Sequence, residues 1–342
     1  MHRRKFLKTA AVAATPLTAS AAVRFGIDLF SIRSQGWSPI QYLDYCAKWK
    51  AKVVHFSEIR FIGNLEEANL LKVREHAQKV GIEIEIGMRS ICPTSKMFDP
   101  AQGTAEDQLA RMIHAAKTVG SPIVRAVLGA MADRVGPIPI EGHIENAAKV
   151  LRSVRSLAMD NGLKIAIENH AGDMQARELK MLIEEAGRDF VGACLDSGNP
   201  LWTLEDPHLT LETLAPYVLT SHVRDTSVWR DKDRIAVQWV RMGEGNIGMR
   251  EYAKRYQELC PGRAFSLEVI VTQPRYFAYA DPKFWEPYRK TPAWEFARFL
   301  ALADKGQPHP TVPQPAFPEA GVERERDDLE ASIRFAHDEL GI

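Results

Sequence analysis

Short apolar runs alternate with amphipathic helical patterns along the chain from residue 23 onwards. Eight of these runs have the length and composition of buried strands, namely residues 23–29, 52–58, 82–88, 123–128, 164–169, 191–196, 218–224 and 265–270. In the intervening segment 105–119, apolar residues recur at the spacing of one helix face. Thr104 is a predicted N-cap of this segment, and Gly120 is a predicted helix stop.

Similar periodicity predicts further helices over residues 39–50, 66–80, 144–161, 175–186 and 249–259. Eight strands that alternate with helices over about 250 residues are the expected number for a (β/α)8 barrel. The alternative is a doubly wound open sheet, which usually has fewer strands and needs a glycine-rich turn after the first one. The first strand here leads into Asp28, Leu29 and Phe30 without such a turn. The sequence therefore predicts an α/β protein with a TIM-barrel fold.

The pattern changes after residue 271. A helix is predicted over residues 293–305, followed by a proline-rich connector at 307–318 and a last amphipathic helix at 321–340. We expect the barrel domain to span residues 22–305 and a C-terminal helical extension to span residues 306–342. This extension either completes the outer ring of the barrel or contacts a second copy of the chain in a homo-oligomer.

The first residues have a different composition. Arg3 and Arg4 precede a mildly apolar stretch with an Ala-x-Ala site, which resembles a twin-arginine export signal. The alternative is a basic tail on an ordinary helix, and Pro16 argues against it. We therefore expect residues 1–21 to engage the twin-arginine export machinery and the protein to be periplasmic or secreted. No other stretch has the roughly 20 apolar residues that span a bilayer, so no membrane span is expected after signal removal.

Composition narrows the function classes. Lys plus Arg and Asp plus Glu both number 44, so the formal net charge is zero and the basic excess of a nucleic-acid binder is absent. The four cysteines are scattered without a CxxC pair, so they indicate small core residues rather than a zinc ribbon or a disulfide framework.

Four of the predicted strands end in a residue that can bind a metal: Glu168, Asp196, His222 and Glu268. By subtraction of their numbers they lie 28, 26 and 46 residues apart, and the first two gaps are close to one strand-plus-helix unit. Parallel strands bring their carboxyl ends to one rim, so the four side chains are expected to converge. Any one of them alone is more often a helix cap, an ion-pair partner or a structural histidine. Four such residues at the ends of four consecutive predicted strands favour a metal site.

The residues two positions before these ligands are expected to point into the barrel one layer deeper. All four are small, namely Ala166, Cys194, Thr220 and Ser266. The residues between them are bulkier and are expected to face the helices, namely Ile165, Ile167, Leu195, Val223 and Leu267. Small residues beneath the ligands would leave room for water or substrate.

Three carboxylates and one imidazole suit Mn²⁺ best, with Mg²⁺, Co²⁺ or Zn²⁺ as alternatives. Such an ion can polarise a sugar carbonyl and stabilise the enediolate that forms when a neighbouring proton leaves. The reaction then needs a base on one face of the sugar and an acid or second base on the other. Glu168 and Glu268 come from the first and last strands of the ligand arc, so they could act from opposite sides.

The motifs IAIENH (165–170), LDSGN (195–199), HVRD (222–225) and GEGNIG (243–248) are followed by Leu267 and Glu268. In this order they resemble the xylose isomerase-like sugar phosphate isomerase/epimerase superfamily. The resemblance covers residues 23–271 and implies a TIM barrel with one divalent metal. It implies that the four strand-end residues are the ligands and that Glu168 and Glu268 double as the acid–base pair. Several epimerases of this superfamily have a histidine where this chain has Asn199.

These features predict an isomerase or epimerase of an unphosphorylated sugar or keto-sugar, since an exported protein seldom meets a phosphorylated one. His170, Arg224 and Asn199 are the candidate substrate contacts. A turn cap for His170 and an ion pair for Arg224 are the structural alternatives. The alternative activity is a lyase or dehydratase that acts on a keto-sugar, inosose or 3-keto-glycoside by β-elimination. An alternative of another class is a carbohydrate-binding barrel without catalysis.

Several other positions stay open at this point. His55 and Glu58 have opposite parity, so at most one points inward, and Arg125 could face either way. The segment 226–242 could form an aromatic lid with Trp229 and Trp239, joined by Phe284 and Trp285. The loop 243–248 resembles the phosphate cradles of barrel enzymes, although a flexible turn would also explain its glycines.

Overall fold

The computed structural model describes residues 23–312 and 318–342, so the predicted signal segment 1–21 lies outside the described residues. In chain order the strands are β1 (Arg24–Asp28), β2 (Val53–Phe56), β3 (Glu83–Ser90), β4 (Ile123–Val127), β5 (Lys164–Glu168), β6 (Val191–Asp196), β7 (Val218–His222), β8 (Asp225–Asp231), β9 (Arg234–Val240), β10 (Ala264–Leu267) and β11 (Arg275–Phe277). The eight predicted strands correspond to β1–β7 and β10.

Strands β1–β7 and β10 form one parallel sheet in the order β10-β1-β2-β3-β4-β5-β6-β7. The sheet closes between β7 and β10. The Val223 N–H donates to the Ser266 carbonyl (2.7 Å), and the Glu268 N–H donates to the Val223 carbonyl (3.0 Å). The predicted TIM barrel is therefore confirmed, and all eight carboxyl ends lie at one rim.

The α-helices are α1 (Pro39–Lys48), α2 (Ile59–Ile62), α3 (Glu67–Val80), α4 (Ala105–Val119), α5 (Met131–Arg134), α6 (Ile140–Ser153), α7 (Arg155–Asp160), α8 (Ala176–Ala186), α9 (Pro207–Leu214), α10 (Met249–Leu259), α11 (Ala293–Ala303) and α12 (Pro318–Glu339). Helix α4 has the predicted ends. The Thr104 side chain accepts the Asp107 N–H (3.1 Å), and Gly120 adopts a left-handed conformation with φ of 85°. Within residues 23–312 and 318–342, no helix is both long and apolar enough to cross a membrane.

The inside of the barrel has the predicted alternation. Ala166 and Cys194 pack with Ile123 in a small apolar cluster, which is separate from the core between the barrel and the helices, to which Ile165 and Leu195 belong. The small residues also accommodate a group that the sequence did not indicate. Glu85 of β3 is buried in the interior, where it accepts the Thr220 hydroxyl (2.6 Å), and burial raises the pKa of Glu85 to about 7.

The segment between β7 and β10, in which an aromatic lid was considered, forms an antiparallel hairpin. Strands β8 and β9 pair from Asp225–Val240 to Asp231–Arg234, and β11 joins β9 on its other edge. This insertion explains the wide gap between His222 and Glu268. The hairpin was not predicted, because β8 starts only three residues after β7 and breaks the alternation of strands with helices.

The C-terminal helix α12 packs on its own barrel. Leu329, Ile333 and Ala336 on one face of the helix are buried. Arg241, just after β9, forms an ion pair with Asp328 (2.6 Å). The helix therefore supports the base of the hairpin, and this accounts for its apolar face without a second subunit.

Glu205, in the loop before α9, is expected to make the stability of the fold depend on pH. Its carboxyl accepts the Ala176 N–H at the start of α8 (3.0 Å) and the Thr210 hydroxyl (2.7 Å). Burial raises the pKa of Glu205 to about 7 from an ordinary value of 4.5. Between these two values the folded chain keeps a proton that the unfolded chain has lost, so the stabilising contribution falls as pH rises.

Glu205→Gln keeps a neutral side chain at every pH. The free energy of unfolding of the variant, minus that of the wild type, is expected to rise by up to about 3 kcal/mol from pH ~4.5 to ~7. Urea denaturation across this pH range measures the difference. A difference that does not change with pH would contradict the prediction.

Candidate metal and substrate site

The four residues predicted as ligands lie together at the carboxyl rim of the barrel. Glu168, Asp196 and His222 end β5, β6 and β7, and Glu268 directly follows β10. All four side chains are buried. We refer to these four residues as the strand-end cluster.

The donor atoms of the strand-end cluster converge. His222 Nδ1 lies 3.0 Å from an oxygen of Glu168 and 3.2 Å from an oxygen of Glu268. Oxygens of Glu168, Asp196 and Glu268 also lie within 4.8 Å of one another. Within the residues that the structure describes, the buried His222 Nδ1 forms no hydrogen bond of good geometry, although both carboxylates are close. A nitrogen without a partner between carboxylates is what a bound cation would satisfy.

Two arginines share these carboxylates. Arg125 points inward from β4 and donates from Nε to Glu168 (2.6 Å). Arg224 donates from Nε to Asp196 (2.9 Å) and forms an ion pair with Glu268. Arg125 therefore points into the barrel, a direction that the sequence alone left open.

The arginines set the charge of the cluster. Burial opposes ionisation of Glu168, but Arg125 and His222 outweigh it and hold the pKa of Glu168 well below the usual range. Burial also opposes ionisation of Glu268, but Arg224 and His222 outweigh it and lower the pKa of Glu268. At Asp196 burial prevails over Arg224 and raises the pKa to about 7. Glu168 and Glu268 are therefore the ionised carboxylates at neutral pH.

Two further residues lie behind His222: Asp28, which the sequence reasoning missed, and His55, whose direction it left open. His222 Nε2 lies 2.7 Å from His55 Nδ1 and 2.9 Å from Asp28 Oδ2. Burial, followed by the charge of His222, lowers the pKa of His55 to about 3, so His55 is neutral. A carboxylate behind a metal-binding histidine commonly fixes its tautomer and orientation. Asp28 is the last residue of β1, so a search for metal-binding residues at the end of every strand would have found it, whereas His55 precedes the end of β2.

The residues present suit a divalent cation. Asp28, Glu168, Asp196 and Glu268 supply four carboxyl groups, whereas Arg125 and Arg224 supply two fixed positive charges. With all four carboxyl groups ionised and His222 neutral, as a metal ligand must be, two negative charges remain for a divalent ion to neutralise. Other buried groups of donors also include His222, one with Asp28 and His55 and another with Glu168 and Cys194.

A pocket of about 260 Å³ opens above the strand-end cluster. All three predicted substrate contacts line it, namely His170, Arg224 and Asn199, together with Arg125, Glu268 and Trp239. Glu168 is not among the lining residues, because Arg125 and the Asn199 amide (3.1 Å) bind its two oxygens. Glu268 is therefore the member of the strand-end cluster that faces the pocket.

His170 is held in one tautomer. Its Nδ1 lies 2.6 Å from the Gly129 carbonyl, so in the neutral ring Nδ1 carries the proton and Nε2 keeps a free lone pair. Burial lowers the pKa of His170, which favours this neutral form. The ring can therefore accept a hydrogen bond or a proton at Nε2.

Among the aromatic residues considered for a lid, Trp239 reaches the pocket. It stacks on Trp202 with ring centroids 4.4 Å apart, and the Arg224 guanidinium lies 4.3 Å from its ring centre. Trp229 is buried in the hairpin sheet, whereas Phe284 and Trp285 contact each other outside the pocket lining.

Comparison with known proteins identifies the family. Residues 43–288 match the family described as xylose isomerase-like TIM barrel, which is most of the chain. The chain belongs to this family. The match supports the resemblance inferred from the motifs and agrees with the closed barrel.

Individual members of the xylose isomerase-like family show what this chain is similar to. It is 23% identical over 219 residues to the 3-oxo-isoapionate decarboxylase of Pectobacterium atrosepticum, which covers 64% of this chain and 72% of that protein. A D-psicose 3-epimerase solved in the presence of D-fructose has a TM-score of 0.61 at 15% identity, covering 94% of this chain and 100% of the other.

The IOLI protein, solved with a bound zinc atom, has a TM-score of 0.56 at 17% identity, and the match covers 81% of this chain and 99% of that one. At such identities the solved structures show a shared fold. Together with the buried clusters, the family is consistent with a divalent metal at the barrel rim.

The strand-end cluster is expected to hold a metal ion in the purified protein. Protein purified without chelators is expected to contain about one divalent ion per chain. Asp196→Ala and His222→Ala should lower this content severalfold, because each removes a donor from the cluster. Mass spectrometry of the metals measures the stoichiometry, and thermal unfolding with and without EDTA measures the linked stability.

His143→Ala is the matched control, since His143 is buried but binds Thr94 (2.8 Å) away from the cluster. Its metal content should equal that of the wild type. A full complement of metal in His222→Ala would contradict the assignment.

Proposed function

We propose that this chain is a divalent-metal-dependent isomerase or epimerase of an unphosphorylated sugar or keto-sugar. The observation that carries the proposal is the position of Glu268, an ionised carboxylate that lines the pocket beside the converging donor atoms. A base in this place can remove a proton from the carbon next to a substrate carbonyl. The similarity to a D-psicose 3-epimerase supports the same reaction class.

In this proposal Glu168, Asp196, His222 and Glu268 hold the metal. Their three carboxylates and one imidazole favour Mn²⁺, and the zinc of the IOLI protein makes Zn²⁺ the first alternative. When bound, the ion would polarise the substrate carbonyl as a Lewis acid. Asp28 would hold His222 in place from behind.

The proton transfers are assigned to side chains that reach the substrate. Glu268 follows β10, whereas His170 follows β5, so the two approach the pocket from well-separated strands of the barrel order. Glu268 would take the proton from the carbon, which leaves an enediolate. His170 could carry the second proton at Nε2. That Glu168 is the second base stays a prediction, because Arg125 and Asn199 cover its carboxylate.

The preference for an unphosphorylated substrate has support in the loop 243–248. The Asp225 carboxylate accepts the N–H groups of Gly243 (2.8 Å) and Gly245 (3.1 Å). A phosphate group in this loop would need the same backbone donors, which Asp225 already accepts. Export by the twin-arginine route, with a periplasmic or secreted location, belongs to the same proposal and rests on the sequence of residues 1–21.

Deuterium exchange tests the reaction. Keto-sugars and aldo-sugars incubated with the protein and Mn²⁺ in D₂O are expected to gain deuterium at the carbon next to the carbonyl. Glu268→Gln should slow this exchange by about 10²–10⁴-fold, because it removes the base. Glu83→Gln is the matched control, since Glu83 pairs with Arg24 away from the pocket.

The alternatives give different results in the same assay. A carbohydrate-binding barrel without catalysis would bind sugars and exchange no deuterium, and Glu268→Gln would leave its affinity unchanged. Equal exchange rates in wild type and Glu268→Gln would contradict the assignment of the base.

A lyase is the second candidate, and the lining of the pocket favours it. Arg89 lines the pocket and forms no ion pair among the described residues, and its guanidinium group suits the carboxylate that the substrate of a decarboxylase carries. The similarity to a decarboxylase points the same way. β-Elimination from a keto-sugar, inosose or 3-keto-glycoside would also begin with proton removal by Glu268.

Mass spectrometry of the product separates these reactions. Isomerisation or epimerisation is expected to conserve the molecular formula of the substrate. Elimination would release water or an aglycone, and decarboxylation would release carbon dioxide. A product of unchanged mass with an inverted or shifted hydroxyl would favour the main proposal over the lyase.

A further inference from the structure

A second space opens directly beside the substrate pocket, and we refer to it as the side cleft. It has a volume of about 510 Å³ and lies between β3, α2 and α4. Arg89 and Met97 line both spaces, so the side cleft adjoins the pocket. The pocket alone, at about 260 Å³, is smaller than the roughly 300–1,000 Å³ of ordinary ligand sites. The side cleft brings the joint space into that range.

The side cleft has a mixed lining, with an apolar part beside a polar part that includes Asp99, Gln108 and Arg111. Its apolar lining residues are Ile59, Leu65, Met88, Met97 and Met112. Ile59 is 41% exposed although it is a large apolar side chain. Methionine side chains adapt their shape to apolar and aromatic groups of different outline. A purely hydrophilic sugar would gain little from such a surface.

The outer wall of the side cleft is fixed before any ligand binds. The Gln108 amide donates to the carbonyls of Asp99 (2.8 Å) and Gly103 (2.9 Å), and Arg111 bonds to the carbonyl of Gln102. These lining side chains therefore hold the loop 99–103 against α4. A preformed wall lowers the ordering cost of binding.

Arg89 stands at the junction between the two spaces. It is exposed, and within the residues that the structure describes its side chain forms no hydrogen bond or ion pair. A guanidinium group in this position can stack on the face of an aromatic ring that enters the cleft.

We propose that the side cleft holds an aromatic or other apolar group attached to the sugar, so that the substrate is a keto-glycoside or another substituted keto-sugar. This inference rests on the proposed function, because it takes the pocket above the strand-end cluster as the sugar site. The sugar would lie against Glu268 and His170, and the attached group would pass Arg89 to reach Met97 and Met112.

Binding of a matched pair of sugars tests the proposal. Methyl β-D-glucoside and phenyl β-D-glucoside are titrated into the full-length chain, and affinities are measured by calorimetry. The phenyl compound is expected to bind about tenfold more tightly, which corresponds to about 1.4 kcal/mol from the added ring. In NMR spectra with labelled methionine methyl groups, it should shift the signals of Met97 and Met112.

Two substitutions, one in α2 and one in the loop 99–103, should remove the tighter binding of phenyl β-D-glucoside. Ile59→Glu places a charge in the cleft, and Gln102→Trp fills it from the exposed loop. In each, the ratio of the two affinities is expected to fall to about one. Leu71→Glu is the matched control, because Leu71 is a similarly exposed apolar residue (46%) on α3 outside the cleft. Leu71→Glu should keep the wild-type ratio.

The outcomes separate this proposal from the proposed function. Equal affinities of the two glucosides, or equal effects of Ile59→Glu and Leu71→Glu, would overturn the side cleft as a binding site. Phenol alone is titrated as well, so that the cleft is tested independently of the sugar. Shifts of Met112 by phenol and phenyl glucoside, without deuterium exchange on any sugar, would support the cleft and contradict the proposed reaction.

Discussion

The whole arrangement at the barrel rim depends on charge balance among buried groups. Four carboxyl groups at the ends of β1, β5, β6 and β10 are brought into one small volume by the closure of the barrel. Two guanidinium groups reach into the same volume and keep Glu168 and Glu268 ionised. Without them, burial would drive the carboxyl groups toward the protonated form. The barrel supplies the geometry, and the arginines supply the conditions under which this geometry can bind a cation.

The same balance explains why only one of the two strand-end glutamates, Glu168 and Glu268, faces the pocket. Arg125 binds Glu168 from the neighbouring strand, and Asn199 binds the other oxygen, so this carboxylate faces inward. Glu268 is bound by Arg224 and still lines the pocket. Two carboxylates that occupy equivalent positions in the chain thus differ in access because their partners differ.

The fold could be predicted from the sequence, because strand length and helical periodicity are local and repeat eight times. The four strand-end residues could be found for the same reason. Glu85 could not, because a carboxyl in a deeper layer is tolerated only through the small side chains of other strands and the hydroxyl of Thr220. The direction of Arg125 depends on its partner Glu168, and the hairpin β8–β9 depends on pairing outside the barrel. Such features rest on contacts between distant segments, which no local pattern contains.

The hairpin has a consequence for how the site can diversify. It is inserted between β7 and β10, yet Val223 still bonds directly to β10 and closes the barrel beneath it. The Arg224 guanidinium lies over the ring of Trp239 in the hairpin, and Trp202 stacks on the same ring. The hairpin that forms part of the pocket wall therefore takes no part in closing the barrel. Its Trp239 both lines the pocket and contacts the arginine that binds Asp196 and Glu268, so a substitution at Trp239 is expected to change the shape of the pocket and the charge balance of the cluster together.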